Sequence, residues 1–210
     1  MSSEQKGIAV PAVEELLAPA LLTAEHDLSV FHCSRASINA FLVERALNNH
    51  LRRISTVYVT SDREGVVWGY YALSMQKIGR KEAFSRKDRG DTPTEISLIA
   101  LGKLGVDERL EGNNLGEDLL RDAFERVLDL TSNGDPARRL PSPAMLIQAA
   151  DEGLIEYYRR FNFLARNAEA PLMLTRPIQE LENDRVAAKA LEAVDEIVAL
   201  KGARPVVNGD

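Results

Sequence analysis

Two short stretches carry residue types that could do chemistry. The first, "RLEGNNLGEDLL" at 109–120, sets glycines at 112 and 116 around two asparagines, just before an apolar helical run. A helix start presents unpaired backbone N–H groups and the positive end of the helix dipole, which together hold a phosphate without a basic side chain. Glycine lets the backbone curl close to such an anion, and asparagine best tolerates the left-handed conformation otherwise reserved for glycine. Against this stand Glu111, a carboxylate on the approach, and the plain packing role that a pair of glycines before a helix more often has. The second stretch, "IEYYRRFNF" at 155–163, follows an apolar segment that reads as a buried strand. A hydroxyl on the first turns of that helix, from Tyr157 or Tyr158, would face the crevice at the strand ends. There it could pass a proton to a departing thiolate. The plainer reading makes both tyrosines core or rim aromatics.

Other chemistries fall away. His26, His32 and His50 share no metal-ligand spacing, and the single cysteine, Cys33, rules out an internal disulfide and a cysteine-based zinc site. There is no serine in a nucleophile-elbow sequence and no G-x-x-x-x-G-K-[ST] loop. Asp107 and Glu108 read as the end of a strand. The formal net charge of -6 argues against a uniformly basic nucleic-acid binder, yet "KIGRKEAFSRKDR" at 77–89 gathers Lys77, Arg80, Lys81, Arg86, Lys87 and Arg89 against Glu82 and Asp88. That is a local positive patch, or a solvated loop.

These residues need a frame. The 210 residues, 45% hydrophobic and 28% charged, suit one globular domain with an appended element. The N-terminal stretch lacks a signal-peptide pattern and no uncharged run is long enough to cross a bilayer, so the expected location is the cytoplasm without membrane contact. Apolar residues at 38, 41, 42 and 46 predict an amphipathic helix over 34–49, capped by Ser34 or Ser37. "STVYVT" and "VVWGYYALSM" predict a hairpin around "SDREG". An apolar strand at 95–107, a helix at 115–130 with apolar positions 115, 119, 120, 123, 124, 127 and 128, and a second buried strand at 143–150 form a strand–helix–parallel strand unit. Asp151 caps a short helix, 170–176 is a final strand, and Pro177 opens a long helix with an incomplete apolar stripe.

Order and residues together resemble the GNAT family of N-acetyltransferases over about 22–176. "LGKLGVDERLEGNNLGEDLL" resembles that family's strand, its Q/R-x-x-G-x-G/A loop and the helix after it. "EYYRRFNF" resembles its "FYxxxGF" segment. A closer resemblance is to the aminoacyl-tRNA-acetylating toxins of toxin–antitoxin pairs, carried also by "FHCSRASINAFLVERALNN" and "VVWGYYALS". The resemblance implies an α/β (α+β) GNAT fold with a central mixed sheet of about six to seven strands. It implies an N-terminal arm at 1–21, the acetyltransferase domain at 22–176, and a C-terminal helix and tail at 177–210. The implied donor is acetyl-CoA, with no metal. Backbone groups of Leu104, Gly105 and Val106 would line the acetyl and pantetheine arm, and Glu111, Gly112, Asn113, Asn114, Leu115 and Gly116 the pyrophosphate. Tyr158 would be the general acid. Arg80, Lys81, Arg86, Lys87 and Arg89 would meet the tRNA backbone. Aminoacyl-tRNA as acceptor, an antitoxin protein and a homodimer are the implied partners.

The chain departs from the pattern in three places. Glu111 takes the Q/R place, Asn114 a glycine place, and Asn162 the glycine of "GF". A second frame, Arg109-x-x-Gly112, restores the arginine but ends on Asn114. Backbone donors survive all of these changes, so weakened rather than abolished cofactor binding is expected. Two further readings remain open: acetylation of a protein or small amine, and a binding or regulatory module whose acetyl-CoA site has decayed.

Overall fold

The computed structural model describes residues 9–80, 93–168 and 170–202. Among these, seven strands make one sheet: β1 (Ala20–Leu21), β2 (Thr56–Ser61), β3 (Val67–Gly79), β4 (Glu95–Val106), β5 (Ala144–Gln148), β6 (Leu164–Ala165) and β7 (Met173–Pro177). Their order is β1-β2-β3-β4-β5-β7-β6, with every pairing antiparallel except β4 with β5. α1 (Ala36–Phe41) continues through a π-helical stretch (Leu42–Ala46) into α2 (Leu47–Leu51); α3 (Leu115–Thr131), α4 (Gly153–Arg159) and α5 (Ile178–Gly202) follow. This is the expected mixed sheet with flanking helices and a C-terminal helix. The two-residue strands β1 and β6 are too short to leave a period-two signature in the sequence, so pairing alone defines them.

Helical spacing translates directly into burial. The seven apolar positions read from the sequence of α3 are the seven that are buried, and they pack on Trp68, Tyr71, Leu73, Ile99, Leu101, Met145 and Ile147 of the sheet. Each fully buried leucine there contributes about 1.5–3 kcal/mol. On the opposite face, Ile38, Phe41, Leu42 and Ala46 pack on Val57, Val59, Tyr70 and Ala72. The start of α1 differs from expectation. Its N-cap is Arg35, without a side-chain cap bond, because Ser34 turns its hydroxyl to Glu111. The N-cap of α4 is Glu152 rather than the expected Asp151, which sits one residue earlier and accepts a hydrogen bond from the backbone N–H of Leu154 at 3.2 Å.

The feature that makes room for a ligand lies between the two parallel strands. β4 pairs with β5 only at Ile99, Ala100 and Leu101, while its pairing with β3 runs on to Val106. Beyond Leu101 the outer edge of β4 is therefore without a strand partner, and the sheet opens as a wedge. At the same point the β3–β4 register steps from Leu73↔Leu101 to Ala72↔Lys103, leaving Gly102 as the extra residue of a bulge. The bulge shifts side-chain alternation by one, so that Leu101 and Leu104 both face the α3 side.

Gly105 sets how closely α1 approaches β4. A Cβ built there would lie 2.4 Å from Ile38 Cγ2 and 3.0 Å from Tyr70 Cε1, and the Tyr70 hydroxyl already donates to the Ile38 carbonyl at 2.8 Å. Neither neighbour has a flexible end to move aside. Gly105→Ala is expected to destabilise the protein by about 1–3 kcal/mol, the usual cost of overpacking. Urea unfolding of the purified variant checks this, and an unchanged midpoint would refute it.

α5 is anchored at its start. Ile178 and Leu181 are buried, Arg176 pairs with Asp184, and Arg185 reaches Glu125 and Asp129 of α3 at 3.7 and 3.5 Å. Apolar burial dominates here, since ion pairs with exposed partners contribute little.

Candidate functional site

The wedge between β4 and β5 is a cavity of about 640 Å³. Leu104, Gly105 and Val106 line one wall, and Gln148, Ala149, Leu154, Tyr157 and Tyr158 the other. Beside it, under the loop after β4, lies a recess of about 250 Å³, with Val106, Glu111, Gly116 and Tyr157 common to both. The strand residues and the loop residues singled out in the sequence thus line two adjoining cavities.

The loop has the architecture of an anion nest. Gly112 and Asn114 both adopt left-handed backbone, at φ 81° and 63°. Asparagine pays the smallest steric penalty of the non-glycine residues there, which explains why glycine can be absent at 114. Asn162, in the other glycine place, sits at φ 60° for the same reason. Among the described residues, the backbone N–H groups of Gly112, Asn113, Asn114, Leu115 and Gly116 have no acceptor; intrahelical bonding begins with Glu117 and Asp118 donating to the Asn114 carbonyl. Five consecutive donors without an acceptor at the positive end of a 17-residue helix are an arrangement that can accept a phosphate. The Asn113 side chain folds back, donating to the carbonyls of Leu110 and Glu111 at 3.3 and 3.4 Å, so only its backbone serves the nest.

The second frame, with Arg109 as the loop cation, fails on geometry. The Arg109 guanidinium donates to Asp107 at 2.7 and 2.9 Å and to the Val30 carbonyl at 2.9 Å, and it stacks 4.6 Å from the Trp68 ring. Asp107 is fully buried. Burial pushes its carboxyl up, but hydrogen bonds from Arg109 and from the backbone of His32 outweigh this and hold it below the usual range. Arg109 therefore braces the strand end and leaves the loop without a cation of its own. Glu111 accepts a hydrogen bond from the Ser34 hydroxyl at 3.2 Å, which ties it to the start of α1.

The two tyrosines separate by place. Tyr157 stands at the junction of cavity and recess, with its hydroxyl 3.8 Å from where a Cβ on Gly116 would lie. Tyr158 lines only the larger cavity, its ring is buried, and among the described residues its hydroxyl has no hydrogen-bond partner. Burial, reinforced by Tyr157 and opposed by Arg35, pushes its phenol up to about 12. It is thus a neutral donor at physiological pH, aimed into the cleft.

Sequence reasoning missed Arg35. Its guanidinium pairs with Asp151 at 2.8 Å, linking the start of α1 to the turn after β5 across the cavity. The hydrogen bond from Arg35 holds the Asp151 carboxyl below its ordinary value. Of the expected basic patch, Arg80 is half-buried at the end of β3, and Lys81, Arg86, Lys87 and Arg89 lie outside the described residues. Among the described residues no cluster of His, Cys, Asp or Glu could hold a metal ion, and no helix is long and apolar enough to cross a membrane.

A mixed sheet split between its parallel strands, with an N–H nest after the longer one and a tyrosine in the wedge, defines the GNAT class of acetyltransferase folds. No family model matches the chain. A tRNA-acetylating toxin of Mycobacterium tuberculosis is 31% identical over 146 residues, which is 70% of this chain and 83% of the relative. A probable toxin TacT of Sinorhizobium fredii is 31% identical over 108 residues, 49% of this chain and 58% of the relative. Among solved structures, a tyrosine-to-phenylalanine variant of KacT has TM-score 0.71 at 21% identity, covering 80% of this chain and 98% of that one. AtaT complexed with acetyl-methionyl-tRNAfMet has TM-score 0.70 at 24% identity, covering 80% and 97%. The chain belongs to the family of tRNA-acetylating toxins.

Proposed function

We propose that this protein is an acetyl-CoA-dependent N-acetyltransferase that acetylates the α-amino group of aminoacyl-tRNA, a toxin activity that blocks translation. The observation that carries the chemistry is that the free N–H groups at 112–116 and the unpartnered Tyr158 hydroxyl belong to two adjoining cavities that share Val106, Glu111, Gly116 and Tyr157. The acceptor rests on the 31%-identical tRNA-acetylating toxin and on the fold shared with AtaT, seen with acetyl-methionyl-tRNA.

In this reading the nest at 112–116 binds the pyrophosphate, and the open edge of β4 at Leu104, Gly105 and Val106 offers backbone groups to the pantetheine arm and the thioester oxygen. The α-amine, neutral after losing a proton to solvent, forms its bond to the thioester carbonyl carbon. The nitrogen, now bonded to carbon, gives its surplus proton to solvent; the carbon–sulfur bond breaks, its electron pair leaves on sulfur, and the Tyr158 hydroxyl passes its proton to that sulfur and regains one from solvent. Arg80, Lys81, Arg86, Lys87 and Arg89 are assigned to the tRNA backbone. Residues 22–176 form the acetyltransferase domain, 1–21 an arm, and 177–210 an appended helix and tail. A cognate antitoxin is the assigned partner, as AtaT is seen bound to the C-terminus of AtaR. A cytoplasmic homodimer completes the proposal.

The test supplies labelled acetyl-CoA with charged tRNA, and in parallel with peptides and small amines. Label recovered as N-acetyl-amino acid after mild alkaline release from tRNA is the expected result. Label on peptide or small amine alone would move the protein to the second enzyme reading. Neutralising Arg86, Lys87 and Arg89 to glutamine should lower tRNA use and flatten its salt dependence by up to about one logarithmic unit for each phosphate no longer neutralised. Unchanged tRNA use would remove the patch from the interface.

A further inference from the structure

The loop has lost its cation twice over: Glu111 stands where the resembling loops carry glutamine or arginine, and Arg109 is turned into a brace for Asp107. A replacement comes from a different element. Arg160, the residue after α4, is exposed and lies on the wall of the recess under 112–116. Its guanidinium stacks 4.9 Å from the Tyr157 ring and 5.8 Å from the Phe161 ring, which orients it and leaves its N–H donors available. Neighbouring arginines are committed elsewhere: Arg121 to Glu117, Arg159 to Glu156, Arg176 to Asp184 and Arg185 to Glu125. Arg160 makes no ion pair among the described residues. The acidic groups facing the recess are Glu111, bonded to Ser34, and Glu117, bonded to Arg121. Without Arg160 an anion entering the nest would meet carboxylates and no unpaired cation.

We propose that Arg160 supplies, from the end of α4, the positive charge that the loop lacks, binding the pyrophosphate of CoA beside the backbone donors at 112–116. The inference rests on the acetyl-CoA reading above. A guanidinium suits this role because its planar fork can give two N–H donors to one phosphate, and the ring stack pre-orders it for that contact.

Calorimetry on the full-length protein tests it with three donors: acetyl-CoA, acetyl-dephospho-CoA, which lacks the 3′-phosphate, and S-acetylpantetheine, which lacks every phosphate. Arg160→Gln is expected to raise the Kd for the two nucleotide donors by about ten- to a hundredfold, the range for one hydrogen-bonded charge. Arg160→Lys should recover part of the loss. Glu111→Gln should tighten both proteins. Equal binding by Arg160→Gln and the unaltered protein would overturn the proposal, as would a loss seen only with the 3′-phosphorylated donor. A matching loss with S-acetylpantetheine would also overturn it, since the arginine would then be merely propping Tyr157. Should the unaltered protein bind no acetyl-CoA at millimolar concentration, the acetyltransferase reading itself fails, a result distinct from all of these.

Discussion

Tyr158→Phe is expected to lower kcat for aminoacyl-tRNA acetylation by about 10²-fold while leaving the Kd for acetyl-CoA within about twofold, the low end of what a positioned general acid contributes. The low end applies because a thiol has an ordinary pKa of about 8.5, so its anion is a tolerable leaving group even unassisted. The hydroxyl has no partner to compensate for its loss, and the ring that fills the buried position is kept in phenylalanine. The sign of the pH dependence follows from burial. A phenol pushed up to about 12 stays protonated through the assay range, so wild-type kcat should show no alkaline fall from this group below about pH 10. Stopped-time assays from neutral to about pH 10 on both proteins, with an acceptor tRNA whose aminoacyl ester is replaced by an alkali-stable 3′-amide, check this. Full activity of Tyr158→Phe would remove the general acid from the mechanism. An alkaline fall near pH 9, present in wild type and absent from the variant, would show a tyrosine titrating far below the value that its burial sets.

The second large effect is at the nest. Asn114→Gly should hold acetyl-CoA within about threefold of the unaltered protein, and Asn114→Val should weaken it by about tenfold or more. The reason is the left-handed backbone at 114. Glycine adopts it freely, asparagine at small cost, and a β-branched side chain only by moving the loop and misaligning its free N–H groups. Calorimetric titration of both variants decides the matter. Tight binding by Asn114→Val would mean that the cofactor is held elsewhere than at this loop. The asparagines that look like damage in the sequence occupy the two positions, 114 and 162, where asparagine is the residue able to stand in for glycine.

Much of the frame is legible in one dimension because it depends on local periodicity. The buried face of α3, the four buried positions of α1 and its π-helical continuation, the hairpin of β2 and β3, and the apolar strands β4 and β5 all follow from spacings of two or three-to-four residues. The nest is equally readable, since a left-handed glycine or asparagine before a helix is a local requirement. Cap choice at α1 is not, because Ser34 finds a better partner 77 positions away in Glu111.

What the sequence determined by itself, then, is the set of elements and the two chemical segments they carry, the loop at 109–120 and the tyrosine pair. Tertiary structure alone decided how these meet. The short β4–β5 pairing and the bulge at Gly102 open the wedge, and both are matters of register between distant strands. Arg109 is diverted to Asp107, Arg35 is joined to Asp151, and Arg160 is brought to the recess by the end of α4. A charged side chain long enough to reach several partners is placed by whichever desolvated or complementary group the fold brings near it, and that neighbour has no fixed spacing in the chain.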